Sequence, residues 1–234
     1  MKSYGQFCPV AKAAELFCER WTPLILRDLA TGATRFSEIH RGVPLISPTL
    51  LSRRLKQLEA EGIVERRRAG KAWTYHLTPA GREFVPLVEA LGVWGQRWAR
   101  RELAENETDL GLLLWALERS ANADAFGDRR TVVRLELTDQ PAHKNHWWFV
   151  NENGACQLCL HDPGFEIDLY LACTLPDIIY IMRGDLPLQR ALATDRLEAL
   201  GAPAIRSSLA SWLNLSPLAA IPSERARMAA NALA

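Results

Sequence analysis

The sequence predicts an α+β fold in two parts: helices with a two-stranded wing first, then a five-stranded sheet covered by helices. Three features of the chain lead there. Ser47-Pro48 opens an amphipathic stretch with a basic outer side, and two runs of strand length joined through Gly70 come directly after it. Further on, from about Thr131, alternating or apolar runs of strand length replace the helical spacing. The expected domain boundaries are 1–105 and 106–234.

The helix starts come from chemistry that is easy to read. Thr22-Pro23, Ser47-Pro48 and Thr78-Pro79 each offer a hydroxyl at an N-cap and a proline at the first helical position. The proline lacks only an N–H that would have no intrahelical partner, and each cap contributes roughly 1 kcal/mol. Helices are expected over about 9–18, 23–31, 37–42, 48–61 and 79–104, with a hairpin at 63–77. Within 48–61, Leu51, Leu55 and Leu58 fall on one stripe and Thr49, Arg53, Lys56 and Ala60 on another. The hairpin runs through Ile63–Arg68, turns at Ala69-Gly70-Lys71 and returns over Trp73–Leu77. A basic helix with a basic hairpin behind it suits a DNA duplex, with a rod for the major groove and a cationic finger for the backbone.

Charge divides the chain in the same place. Residues 1–105 hold 17 Lys+Arg against 11 Asp+Glu, a net of +6, and residues 106–234 hold 11 against 16, a net of −5, which together give the overall +1. A basic first part fits nucleic acid, and the acidic second part fits a different partner. Asn106-Glu107-Thr108-Asp109 is a short polar joint at the change of sign. No run is apolar for the eighteen or so residues of a membrane helix, and no secretory core comes after Met1-Lys2-Ser3-Tyr4-Gly5. Five cysteines, an odd number, point to a reducing, bacterial-type cytoplasm.

From about Cys8 to Trp98 the chain resembles the HxlR-type winged-helix transcription regulators. The matching text is Cys8-Pro9-Val10, Arg20 through Leu29, Arg35 through Ile39, Ile46 through Lys56 and Tyr75 through Gly81. That resemblance implies a homodimer on a two-fold-related operator, with the helix from Pro48 as recognition helix. The residues expected on DNA are Ser47, Thr49, Ser52, Arg53 and Lys56 on that helix, and Arg66, Arg67, Arg68 and Lys71 on the wing. Most would hold phosphates, and Arg53 is the choice for a base edge. Alternate strand residues face opposite ways, so Arg66 and Arg68 share a face that Arg67 does not. Cys8 stands just ahead of a helix start, where the positive dipole end could activate a thiol. In several relatives a cysteine near this place senses oxidants or quinones, which makes Cys8 a redox candidate; a small inert thiol is the bland alternative.

The second part reads as a helix over Asp109–Arg119 and strands at Thr131–Thr138, His146–Asn151, Ala155–His161, Phe165–Cys173 and Asp177–Met182, a five-stranded meander. Helical stretches are expected after Gly184 and after Ser207-Ser208. This order, and the run from Leu169 to Leu186, resembles the sterol carrier protein type of domain. The resemblance implies a fatty-acyl, sterol-like or other apolar ligand, lined by Trp147, Trp148, Phe149, Leu158, Leu160, Tyr170 and Tyr180. Ordinary core packing is the competing account of each. Cys156, Cys159, His161 and Cys173 could be drawn as a zinc site, but residues three apart on a strand face opposite ways, so no metal is expected. Glu166, Asp168 and Asp177 form no matched acid–base pair, and no phosphate loop or nucleophile elbow is present.

The expected protein is therefore a cytoplasmic homodimeric regulator, a repressor, without cofactor or catalytic residue. An apolar ligand in the second domain would act through the 79–104 helix. Redox sensing through Cys8, or a lipid carrier with a degenerate DNA-binding domain, stand as alternatives.

Overall fold

Proline in the first turn starts helix after helix in the computed structural model, which describes residues 3–104 and 107–231. The first four helices are α1 (Pro9–Phe17), α2 (Thr22–Ala30), α3 (Phe36–Gly42) and α4 (Pro48–Ala60). The hairpin pairs β1 (Val64–Ala69) with β2 (Ala72–Leu77). Ser47 Oγ accepts the Leu50 N–H at 3.3 Å, and Thr78 Oγ accepts the Gly81 N–H at 3.1 Å, so two of the three expected caps form. Thr22 does not cap. It lies buried inside α2, and Trp21 before it takes a left-handed conformation with φ 79°.

The chain divides into two compact units, up to Gly92 and from Val93. The joint expected from Asn106 starts outside the described residues, and the division falls within a helix. In the first unit Leu51, Leu55 and Leu58 enter one core with Ile25, Leu26 and Ile39. Phe17 stacks on Phe84 with ring centroids 5.6 Å apart. Gly42 is required there: a Cβ at this position would stand 2.0 Å from an oxygen of the buried Asp28 carboxylate.

The single helix expected over 79–104 is broken. It forms α5 (Pro79–Glu83), α6 (Val85–Trp94) and a π-helical turn at Gly95–Ala99, and Arg100 leaves in an extended conformation. Pro86 has no N–H for the carbonyl four residues earlier, so the ladder is interrupted at Phe84.

The second unit adds α7 (Leu110–Ser120), β3 (Thr131–Leu137), β4 (His146–Glu152), β5 (Ala155–Cys159), β6 (Leu169–Cys173), α8 (Leu175–Arg183), α9 (Leu188–Ala193), β7 (Leu197–Gly201), α10 (Pro203–Ser207), α11 (Leu209–Leu213) and α12 (Glu224–Asn231). The sheet has five strands in the order β5-β4-β3-β6-β7. It is not a meander throughout: β3, β4 and β5 run antiparallel in succession, then β6 returns parallel to β3. The segment expected as a strand over Asp177–Met182 is helix α8. Its N-cap is Thr174, whose Oγ accepts the Asp177 N–H at 3.2 Å, and Leu175, Ile178 and Ile181 bury at helical spacing. The fifth strand is β7, in a stretch whose sequence reads as helical. The strands expected to reach His161 and to start at Phe165 are shorter, ending at Cys159 and starting at Leu169.

One face of the sheet, with Val133, Leu135, Phe149 and Leu171, packs into the core with helix residues Leu113, Ile178 and Trp212. Trp212 meets Phe149 edge-on at 5.7 Å and donates its Nε1–H to Asn151 Oδ1 at 2.8 Å. Asn151 in turn donates to the carbonyls of Thr131 and Phe149, each at 3.1 Å.

Candidate nucleic-acid interface

Helix α4 turns its three buried leucines inward, so the residues between them must face out. Thr49, Arg53 and Lys56 are exposed and Ser52 is half-buried. Ser47 is exposed too, but its hydroxyl already serves as the cap. Arg53 and Arg54 are neighbours with opposite employment. Arg54 keeps only 12% of its side chain exposed, ion-pairs with Glu19 and donates to Gln57 Oε1 at 2.8 Å. Among the described residues, no hydrogen bond or ion pair from this protein engages the side chains of Arg53, Lys56 or Lys71. They present their cations to solvent, at the low cost of exposed charge.

The hairpin register decides the wing. Arg66 stands opposite Tyr75, Arg67 opposite Thr74 and Arg68 opposite Trp73. Arg67 pairs with Glu65 on one face. On the other, Arg66 and Arg68 lie over the Trp73 ring, with guanidinium carbons 4.3 and 5.9 Å from its centroid. Trp73 is thus a shared platform that holds two arginines of the exposed finger. The sequence alone marks Trp73 only as a strand residue; the signal for its role is an aromatic across a tight turn from alternating arginines. Arg66 also approaches Glu59 at 3.7 Å, and Arg68 Nε donates to the Gly70 carbonyl at 3.2 Å. The result is a cationic helix face and a cationic wing in one unit.

Cys8 is the half-buried N-cap residue of α1; its carbonyl accepts the Lys12 N–H at 3.1 Å and its side chain makes no cap. The residues expected around an apolar ligand are spread over the second unit. Phe149 is fully enclosed in the core, with Trp147, Leu158 and Tyr180 half-buried at its margin. Trp148 and Tyr170 lie on the other sheet face, and Leu160 is exposed in the loop beyond β5. Cys156 and Cys159 of β5 stand opposite Asn151 and Trp148 of β4, and they lie on opposite faces of the sheet. Burial pushes the thiols of Cys156 and Cys173 up to about 12. Asp177 accepts Arg196 Nε at 2.8 Å and Asp168 accepts the Val132 N–H at 2.9 Å, so both carboxylates have structural partners. Among the described residues no group of His, Cys, Asp and Glu has the arrangement of a metal site, and no helix is long and apolar enough to cross a membrane.

Residues 16–103 match the family model described as HxlR-like helix-turn-helix. The chain is similar to the HTH-type transcriptional regulator YvaP of Bacillus subtilis (strain 168), 36% identical over 98 residues, 40% of this chain and 91% of that protein. It is 33% identical over 98 residues to an HTH-type transcriptional regulator of Methanothermobacter thermautotrophicus, 41% of this chain and 75% of the relative. Among solved structures, diamide-treated YodB from B. subtilis is 34% identical with TM-score 0.34, over 38% of this chain and 93% of that one. The redox regulator HypR in its oxidized form is 30% identical with TM-score 0.38, over 41% of this chain and all of that one.

Proposed function

The chain belongs to the HxlR-like helix-turn-helix family, and from that premise we propose that it is a homodimeric, sequence-specific DNA-binding repressor whose second unit senses a small apolar molecule. The observation that carries the DNA reading is the pair of cationic elements: α4 with Arg53 and Lys56 outward, and the wing with Arg66, Arg68 and Lys71. Arg53 would read a guanine edge, with Thr49 and Ser52 beside it, while Lys56 and the wing cations would hold phosphates. Ser47 contributes by starting the helix, and Arg67 would hold a phosphate on exchanging Glu65 for it. The homodimer reading is supported by α6, where Leu87 and Leu91 recur at helical spacing and are 51% and 48% exposed.

The sensing reading rests on Trp147, Leu158 and Tyr180 at the margin of the second core, where an apolar molecule would be reached without displacing Phe149. Such a ligand alters DNA affinity only as far as it prefers one of two states. Duplex selection with fluorescence anisotropy tests the main reading. A selected duplex should bind with an affinity that falls steeply as salt rises, by about 0.9 log units per log unit of salt for each phosphate contacted. Weak binding indifferent to sequence would refute it and favour a carrier role. Native mass spectrometry beside a denaturing run tests the rest: a dimer with releasable extra mass supports sensing.

The second reading makes Cys8 oxidation the signal, favoured by its half-exposed position at the N-terminus of α1. Cys8→Ser should then abolish release from the duplex by diamide, and unchanged release would refute it.

A further inference from the structure

Against the acidic balance of the second unit, one groove of about 530 Å³ gathers Arg100, Arg101, Arg196 and Arg225. Two of these are committed. Arg100 Nε meets Asp185 Oδ1 at 2.7 Å, and Arg196 Nε meets Asp177 Oδ1 at 2.8 Å. The side chains of Arg101 and Arg225 are exposed and, among the described residues, hold no ion pair or hydrogen bond. Glu102 is also on the wall and offsets part of the charge. Tyr180 and the buried Leu186 supply an aromatic and an apolar surface. Arg196 and Arg183 lie 6.0 and 5.9 Å from the centroid of the Tyr180 ring.

The framework around the groove is fixed. Asp185 also takes Arg183 Nε on its second oxygen at 2.9 Å. The carbonyl of Arg183 accepts Gln96 Nε2 at 2.7 Å and Arg100 Nη1 at 3.1 Å, and Arg183 Nη2 donates to the Arg101 carbonyl at 2.7 Å. The extended segment after the π-helical turn is thereby held at the C-terminal end of α8, and this places Arg101 at the groove. Arg225, in the first turn of α12, supplies a cation from another element.

We infer that this groove is a binding site for a small organic anion. Arg101 and Arg225 hold its carboxylate or phosphate head, and its body rests on Tyr180 and Leu186. Guanidinium groups match oxyanions with paired N–H donors, and the volume suits a small molecule. The groove shares only Tyr180 with the residues proposed around an apolar molecule, so the assignment goes beyond the sensing reading and rests on it only for any effect on DNA.

Isothermal titration of the full chain with benzoate, phenyl phosphate and inorganic phosphate, and with neutral benzamide as control, tests it. At least one anion should saturate, with benzamide and the R101Q/R225Q double variant each at least about tenfold weaker, an affinity loss of about 1.4 kcal/mol. Saturation by benzoate identifies a carboxylate head, and by either phosphate a phosphoryl head. The inference is overturned if no anion saturates, if benzamide binds as well as benzoate, or if the double variant binds like the parent. Duplex binding by the same preparation is measured apart and tests the regulator reading alone, so the two failures are distinguishable.

Discussion

Arg53 and Arg54 are adjacent in sequence, identical in chemistry, and should behave in opposite ways when each is cut to alanine. Arg53 is exposed and has no partner among the described residues, so its loss should leave the melting temperature within error. If it makes a bidentate contact to guanine, each half-site loses about 1–3 kcal/mol of discrimination, roughly tenfold per 1.4 kcal/mol. Arg54 has only 12% of its side chain exposed, and removing it strands Glu19, which is 29% exposed. Breaking a partly buried, charge-assisted contact of this kind costs about 1–3 kcal/mol, below the figure for a fully buried pair because water still reaches Glu19. A domain of this size loses about 4–8 °C in Tm for each kcal/mol. The affinity of folded Arg54→Ala for duplex should match the parent. Anisotropy with a selected duplex and differential scanning fluorimetry read the two effects separately. An Arg54→Ala protein that melts like the parent yet loses as much duplex affinity as Arg53→Ala would refute this division of roles.

Three other outcomes rest on geometry. Gly184 sits at φ 77°, and a Cβ there would lie 1.9 Å from the Ala219 carbonyl oxygen; Gly184→Ala should destabilise the second unit by more than the ~1–2 kcal/mol of a left-handed alanine, read by urea denaturation. Asn151→Ala leaves the buried Trp212 Nε1–H without its acceptor and should cost about 1–3 kcal/mol in the same assay. With thiols pushed up to about 12, Cys156 and Cys173 should resist iodoacetamide at pH 8 in native protein and react in urea, as peptide mapping would show. Because both are raised above the ordinary thiol value of 9.0, their contribution to stability is complete below about pH 9 and is lost as pH climbs toward 12.

The first four helices and the hairpin are legible in the sequence because each rests on local chemistry. Ser47 caps α4 and Thr78 caps α5, and the leucines of α4 repeat at the helical period. Trp21 is harder. Nothing in its own chemistry requires a left-handed turn; that turn lets Thr22 bury where a capping threonine would stay at the surface. In Leu175–Arg183 the run of isoleucines around Tyr180 looks like a strand by composition. Thr174 and Pro176 at its start and Gly184 at its end are helix punctuation, and they decide the outcome together with the burial of Ile178 and Ile181. Leu197–Gly201 carries little β-branched character and becomes a strand because β6 offers it an unpaired edge. The cationic face of α4 is legible, and so is the alternation of Arg66, Arg67 and Arg68. The division of labour between Arg53 and Arg54 is not, since the partner Glu19 lies far away along the chain.

By itself, then, the amino-acid order determined where most first-unit helices begin, which side of α4 is apolar, and that a cationic hairpin comes after it. These properties depend chiefly on neighbours within a few residues. Only the tertiary structure decided that β6 returns beside β3, that Trp73 supports two arginines, and that Arg100, Arg101, Arg196 and Arg225 share one groove. Each of those joins residues distant in sequence, and their proximity is fixed by the packing of whole elements on a common core.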